Sequence, residues 1–301
     1  MRWNKSTSDI KNYVTLCVIL LIYHSPLHAH PFFWKVKGEN EFYMFGTIHL
    51  PDPRVTHLPE EVKQALENST ALYTELDLSE SNTMMIKQSM WLPEKKNLTE
   101  YLSPKQEKDI NQYLQQVNPV LNLGFFVRQK IWVLAITLAL LEQQLKSPDQ
   151  SALDKVLYEQ AILLGLDTGG LESVEEQMQV FEAMTIKEQL KFLDDTLEYM
   201  KSTKAYKYDF IEESINAYLE GDLDLLMTNL MSYMKDEPFY EKLLVRLIDQ
   251  RNVKIVDTML ALAKSHPATQ YFFAVGVGHF WGDKGIDSLL TEKGYKIQVV
   301  E

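Results

Sequence analysis

The chain of 301 residues has almost no cysteine and no long apolar or basic run. Its one cysteine, Cys17, lies in a short apolar segment near the amino terminus. The remaining residues therefore form no disulfide and offer neither a cysteine-based zinc site nor a thiol nucleophile. No run reaches the roughly 18 apolar residues of a membrane-spanning helix, which excludes a multi-pass membrane protein.

Positive charge is also scarce relative to negative charge. The formal net charge is −12, and no block of lysine or arginine stands out. This balance argues against a nucleic-acid partner, because such proteins need a basic surface. The 46% hydrophobic and 24% charged residues are typical of a globular protein and exclude a disordered one.

The amino-terminal segment has the pattern of a secretory signal. Three positive residues precede the apolar residues 13–23, and Pro26 and Ala29 follow them. A positive flank, a short apolar centre and a small residue predict a signal peptide over residues 1–29. We therefore expect residues 30–301 to form one exported domain, periplasmic or secreted. Without cleavage the same segment would anchor the chain in a membrane.

Strands are predicted near both ends of this domain. Aromatic and β-branched runs at 33–37 and 41–48 flank a Gly-Glu-Asn turn and read as a hairpin. A helix over 59–68 and a strand over 71–76 follow. Near the carboxyl terminus, a strand over 271–275 is the first part of a second β-α-β unit.

That second unit continues with a helix over 283–293 and a strand over 295–300. Residues from about 104 to 264 are predicted to be mostly helical, with a short strand over 165–171 and a capping box at Ser173. The fold class is therefore α/β (α+β). We expect a central mixed sheet, built from the amino- and carboxyl-terminal β-α-β units, with a large helical insert between them.

Chemically useful side chains follow the predicted strands. Each β-α-β unit carries Gly-x-x-His directly after its first strand, ending at His49 and His279. Glu75 ends the strand over 71–76, and Glu172 follows the short strand of the insert. Ligands of parallel α/β sheets lie beyond the carboxyl ends of the strands. If the strands share one sheet, two histidines and two glutamates converge at its edge.

Two hydrolytic chemistries suit such a set. A divalent ion held by His49, Glu75, Glu172 and His279 would activate a water molecule. Without a metal, one histidine would take a proton from water while the other, or Arg251, stabilises the oxyanion. The residues do not choose between these chemistries.

Several short segments, taken together and in order, resemble the TraB/PrgY/GumN family, which includes the Tiki metalloproteases. They are FGTIHLP at 45–51, YTEL at 73–76, LD at 153–154, GLESVEEQ at 170–177, RN at 251–252, VGVGHFWG at 275–282 and GI at 285–286. The resemblance spans nearly all of the predicted mature chain.

The resemblance implies that the paired Gly-x-x-His motifs mark an active site. It puts His49 and His279 first as catalytic or metal-binding positions, and supports Glu75, Glu172, Arg251 and Asn252 as further motif positions. It implies a hydrolase, foremost a peptidase that uses a divalent ion such as Mn²⁺, Co²⁺ or Zn²⁺.

Two other functions stay open from the sequence. The same cleft could sequester a peptide or small molecule in the cell envelope without turning it over. It could also act as a metal-free esterase or amidase, similar to the erythromycin esterases. In each case the partner is a peptide or small molecule, and the oligomeric state is undetermined.

Overall fold

The computed structural model describes residues 32–206, 209–232, 234 and 238–300. The predicted signal peptide lies outside these ranges. Within them, no helix combines the length and the apolar character that crossing a membrane would require.

Six strands form one mixed sheet in the order β4-β3-β5-β2-β1-β6. Their bounds are β1 Phe33–Lys37, β2 Glu41–Thr47, β3 Ala71–Leu76, β4 Asp167–Glu172, β5 Tyr271–Gly276 and β6 Lys296–Val299. β1 is antiparallel to both of its neighbours, whereas β2, β5, β3 and β4 pair parallel to one another. The predicted α/β class with a mixed central sheet is confirmed.

The carboxyl-terminal strand β5 lies between β2 and β3. Thr47, at the end of β2, is in register with Gly276, at the end of β5. All six residues of β5 are buried, as expected for a parallel strand covered on both faces. The insertion of β5 brings three strand ends from distant parts of the chain to the same edge of the sheet.

Helices cover the sheet and form most of the segment between β3 and β5. Their bounds are α1 Pro53–Thr56, α2 Glu60–Glu67, α3 Glu80–Ser89, α4 Pro104–Val117, α5 Ile131–Lys146, α6 Leu153–Leu164, α7 Val174–Glu182, α8 Ile186–Tyr206, α9 Phe210–Glu220, α10 Leu223–Ser232, α11 Pro238–Leu244, α12 Gln250–Ser265 and α13 Ile286–Glu292. Short 3₁₀ turns occur at Leu98–Glu100, Leu123–Phe126 and Val277–Phe280.

A π-helical turn, Val245–Asp249, joins α11 to α12. Turns of this kind are often found at functional sites. The apolar helix α5 is buried in a core that it shares with α8, because its sequence is apolar on almost every side.

The short strand of the helical insert ends one residue later than predicted, and it joins the central sheet. This strand runs over Asp167–Glu172 and pairs in parallel with β3 at the edge of the sheet. The capping box at Ser173 then starts α7, with the hydroxyl accepting from the N–H of Glu176. Glu172 therefore reaches the same sheet edge as Glu75.

Candidate active site at the carboxyl edge of the sheet

Two imidazoles and a carboxylate meet where β2, β3 and β5 end. Nε2 of His49 lies 3.5 Å from Oε1 of Glu75, and Nε2 of His279 lies 3.7 Å from the same oxygen. The histidines stand 230 positions apart in the chain. They become neighbours because β5 is inserted beside β2.

Glu75 is the centre of this arrangement and is buried, with 7% of its surface exposed. Its Oε1 accepts a hydrogen bond from the backbone N–H of Gly276 at 2.7 Å. Its Oε2 accepts from Arg251 at 2.6 Å and from Gln177 at 2.9 Å. The carboxylate is thus fixed from three elements, and Oε1 is left facing the two imidazoles.

A polar partner on Nδ1 orients each imidazole. Nδ1 of His49 lies 3.0 Å from Oδ1 of Asp154, the second residue of α6. Nδ1 of His279 contacts Oδ1 of Asn252 on α12. Neither oxygen carries a proton to give, so each Nδ1 is assigned as the donor. In the neutral imidazole, Nε2 is then an acceptor that faces Glu75.

Burial and charge shift the pKa values of these groups in opposite directions. Burial lowers the pKa of His279 to about 4, so this imidazole is neutral at pH 7. Partial desolvation opposes the charging of His49, whose side chain stays half-exposed, but the Asp154 and Glu75 carboxylates outweigh it and raise the pKa of His49 well above its ordinary value. Burial opposes ionisation of Glu75, yet His279, His49 and Arg251 hold its pKa well below the usual range.

Arg251 and Glu172 form a buried ion pair behind Glu75. Nε and Nη2 of Arg251 donate to the Glu172 carboxylate, and Nη1 donates to the carbonyl of Leu247. Burial raises the pKa of Glu172, although the guanidinium opposes the shift. Arg251 therefore holds two carboxylates in place, and its donors are directed at them.

This pairing differs from the roles predicted for both residues. Both oxygens of Glu172 contact Arg251, so Glu172 does not turn towards the imidazoles as the predicted metal ligand would. Arg251 was predicted to stabilise an oxyanion, but its guanidinium faces Glu75 and Glu172. The physical reason is that a buried guanidinium needs carboxylate partners close by.

Gly276 leaves room at the centre of the site. A Cβ at this position would lie 2.9 Å from Oε1 of Glu75 and 3.1 Å from Nε2 of His49, with Cδ2 of His279 at 3.8 Å. The absent side chain opens a small cradle bounded by the three groups. A glycine is therefore required here by close approach and not by a turn.

The donor set fits a divalent ion in its chemistry. Two imidazole Nε2 atoms and one carboxylate form the His₂Glu set found in zinc peptidases, and His49 would release its proton when a metal binds. Carboxylate or amide groups on the far nitrogen of the histidines are the usual second shell of such sites. The cluster also sets three carboxylates, Glu75, Asp154 and Glu172, against the guanidinium of Arg251, and this excess of negative charge suits a cation.

The side chains nevertheless do not form a closed cage. Across residues 32–206, 209–232, 234 and 238–300, no group of three or more His, Cys, Asp or Glu side chains meets the geometry of a metal site. The structure therefore supports the type of ligand and the cradle, but not a coordination geometry.

A cavity of about 420 Å³ opens in front of the cluster. Its polar side is formed by the catalytic candidates, and Ile86 of α3 lines its apolar side. Met84 and Met85 on the same helix, and Trp91 just after it, are exposed.

Asp154, Gln177 and Asn252 complete the site, and the sequence assigned them no defined role. Each lies within one of the family-like segments, and this was the only signal that pointed to them. Asp154 is 105 positions from His49, so no local pattern could pair them. Only the docking of α6, α7 and α12 against the sheet edge shows what they contact.

The comparisons with known proteins identify the family of the chain. The model of the TraB/PrgY/gumN family matches residues 32–299, and the chain belongs to this family. This confirms the resemblance drawn from the motifs. No solved structure matches the chain.

The chain is similar to curated proteins named as metalloproteases. It is 27% identical to Metalloprotease TIKI2 of Danio rerio over 89% of this chain and 60% of that protein. It is also 27% identical to Metalloprotease TIKI1 of Homo sapiens, over 89% of this chain and 61% of that protein. The chain thus spans about three fifths of the length of these relatives.

A bacterial relative is covered more completely. The chain is 26% identical to Uncharacterized protein YbaP of Escherichia coli (strain K12), over 85% of this chain and 89% of that protein.

Proposed function

We propose that this protein is a hydrolase of peptide bonds that works with a divalent metal ion. The observation that carries the proposal is the convergence of two imidazole Nε2 atoms on one oxygen of Glu75, at 3.5 and 3.7 Å. Each of these three atoms offers a lone pair once His49 has lost its proton, and a cation among them would relieve their mutual repulsion. The relatives named metalloproteases support the same reading.

His49, Glu75 and His279 are proposed to hold the ion. Asp154 and Asn252 fix the two imidazoles by accepting from Nδ1, so that both Nε2 lone pairs stay directed at the cradle. Arg251, Gln177 and the N–H of Gly276 hold Glu75. These residues act as positioning groups.

A bound divalent ion would supply a Lewis acid and lower the pKa of water. The chain's own residues contribute position and desolvation. Buried His279 stays neutral at the back of the site, whereas the His49 side chain is 53% exposed at its mouth. His49 is therefore the imidazole that a substrate meets first.

A metal-free hydrolase is the second candidate, because the His49–Asp154 pair has the geometry of a general base and its orienting carboxylate. In that case His49 would accept the proton of the attacking water, at a pH above its raised pKa. The same cleft could also sequester a peptide without cleaving it, as considered from the sequence. One set of measurements separates these possibilities.

The test begins with a thermal melt of the purified chain in Mn²⁺, Co²⁺, Zn²⁺ or EDTA. A resident ion at 100 times its Kd stabilises a folded protein by about 2.7 kcal/mol. We expect a higher Tm for the wild type and none of this gain for Glu75→Gln, which keeps the side-chain shape. Elemental analysis of the wild type and of His49→Ala and His279→Ala completes the measurement.

Activity is then followed on a peptide library by mass spectrometry of new termini. We expect cleavage that EDTA abolishes and that both histidine variants lack. Cleavage that survives EDTA would favour the metal-free hydrolase, and stoichiometric binding without new termini would favour the sequestering protein. Unchanged cleavage in either histidine variant contradicts the proposal.

Export is the second part of the proposal. The positive flank and apolar residues 13–23 indicate a signal peptide, with residues 30–301 as the mature domain. Amino-terminal sequencing of protein recovered from its own host decides this point. A mature chain that begins near residue 30 supports export, and an intact Met1 with a membrane-bound chain supports an anchor instead.

A further inference from the structure

The cavity at the active site has two chemically different sides. One side is the histidine–carboxylate cluster. The other, which we call the apolar wall, is built from separate segments of the chain. Its members are Leu78 after β3, Ile86 on α3, Met178 and Phe181 on α7, and Leu247 and Ile248 on the π-helical turn.

No charge is free to receive an ionic group of a substrate at this wall. The ionisable side chains that line the cavity all belong to the cluster, within the part of the chain that the structure describes. Asp154 is held by His49, and Arg251 is held by Glu75 and Glu172. A charged substrate side chain would lose its water without gaining a partner, whereas an apolar one gains by burial.

The two faces of the apolar wall differ in how deeply they are packed. The ring of Phe181 stacks on Trp132, with centroids 4.6 Å apart and planes 9° apart. Nε1 of Trp132 in turn donates to Glu182. Helix α3 has no buried residue, and its half-buried Ile86 both packs against the core and lines the cavity.

We propose that the apolar wall is a specificity pocket for a large uncharged side chain of the substrate, next to the bond that is cleaved. This proposal rests on the proposed hydrolase function and adds the substrate class to it: polypeptides with an aliphatic or aromatic residue at that position. Phe181 supplies the fixed surface, and Ile86 is the residue that sets the preference.

The first test is equilibrium binding to the full chain in EDTA, measured by isothermal titration calorimetry. The probes are blocked pentapeptides that differ only in a central Leu, Phe, Lys or Glu. We expect the Leu and Phe peptides to bind at least tenfold more tightly than the Lys and Glu peptides. Equal affinities, or no binding of the Leu and Phe peptides, overturn the proposal.

The second test changes the wall itself. Ile86→Asp places a carboxylate in the pocket, and we expect it to lose at least tenfold in affinity for the Leu peptide and to gain for the Lys peptide. Met84→Asp is the matched control, because it makes the same charge change on the same helix at a side chain that is 61% exposed. It should bind all four peptides like the wild type.

Equal behaviour of the two Asp variants would overturn the role of Ile86. Circular dichroism verifies that both variants keep their helical content. Should Ile86→Asp not fold, Ile86→Ala replaces it, with an expected loss of about threefold to tenfold for the Leu and Phe peptides only. An equal loss for all four peptides, or no loss, contradicts the proposal.

Cleavage of the same peptides in Mn²⁺, Co²⁺ and Zn²⁺ separates this inference from the proposed function. Side-chain preference in binding, without new termini in any metal, refutes the peptidase and keeps the pocket. Cleavage at equal rates for all four peptides refutes the pocket and keeps the peptidase.

Discussion

The two Gly-x-x-His segments present their imidazoles to the same carboxylate, yet their surroundings differ. The His279 side chain is 4% exposed and is oriented by Asn252, which is fully buried. The His49 side chain is 53% exposed and is oriented by Asp154, whose carboxylate keeps 22% of its surface. A neutral amide can be buried at little cost when its hydrogen bonds are satisfied, whereas a carboxylate needs water or a cation. The histidine of the second motif is therefore built into the core, and the histidine of the first faces the solvent.

The largest difference is expected when the glycine of each motif is replaced by alanine, because one change should lower activity and the other stability. Gly276→Ala would push a methyl group against Glu75 and His49, and displacements of about 1 Å at an active site cost about 100-fold in rate. In Gly46→Ala the new methyl would lie 2.8 Å from Cβ of Phe32 and 3.1 Å from the Val277 side chain.

Gly46→Ala is therefore expected to lose about 1–3 kcal/mol of stability through overpacking. Peptide cleavage rates and urea denaturation, measured on both variants, separate the two effects. Full activity in Gly276→Ala would show that the cradle is not where the reaction takes place.

Removing the side chains that orient the two imidazoles, Asn252 and Asp154, should lower the free energy of unfolding by different amounts. Nδ2 of Asn252 donates to the carbonyls of His279 and Lys284. Asn252→Ala leaves these two carbonyls without their donor and should lower the free energy of unfolding by about 2–4 kcal/mol. Asp154→Ala, near the mouth of the site, should cost less than about 1 kcal/mol. Equal losses in urea denaturation would mean that the two motifs are supported alike.

Making the two orienting groups alike is a milder test. Asp154→Asn keeps an oxygen for Nδ1 of His49 but removes the charge, so the first motif comes to resemble the second. Changes in the second shell typically cost 10–100-fold in metal affinity. We expect a loss in this range for Mn²⁺ by titration calorimetry, with an unchanged melting curve in EDTA. Unaltered affinity would show that the carboxylate serves another purpose.

The smallest effect on stability is expected from removing the hydrogen bond between Tyr218 and the first motif. The hydroxyl of Tyr218 donates to the carbonyl of Gly46 at 2.8 Å in a buried contact. Tyr218→Phe removes this bond and should cost about 1 kcal/mol, with cleavage reduced only slightly. A loss as large as that of Asn252→Ala would indicate that the first motif depends on the core as strongly as the second.

Most of the sheet could be predicted from local patterns. The runs around Phe33, Glu41 and Tyr271 are aromatic and β-branched, and such runs need a sheet to bury them. The capping box at Ser173 and the apolar α5 were equally readable. These features depend on neighbours within a few residues.

Other features were outside the reach of such patterns. Helix α3 has no buried residue, so its sequence lacks the apolar period that marks most helices. The pairing of Glu172 with Arg251 joins residues 79 positions apart, and that of Glu75 with Arg251 joins residues 176 apart. Whether a carboxylate binds a metal or a guanidinium depends on which partner the fold brings nearer.

By itself, the sequence determined the strands, most of the helices and the two Gly-x-x-His segments, because the spacing of apolar residues and of glycine acts over a few residues. The tertiary structure alone decided that β5 enters between β2 and β3. That insertion brings His49 and His279 to Glu75. Glu172 instead pairs with Arg251. Charge pairing acts through distance in space, and the order of strands in the sheet sets that distance.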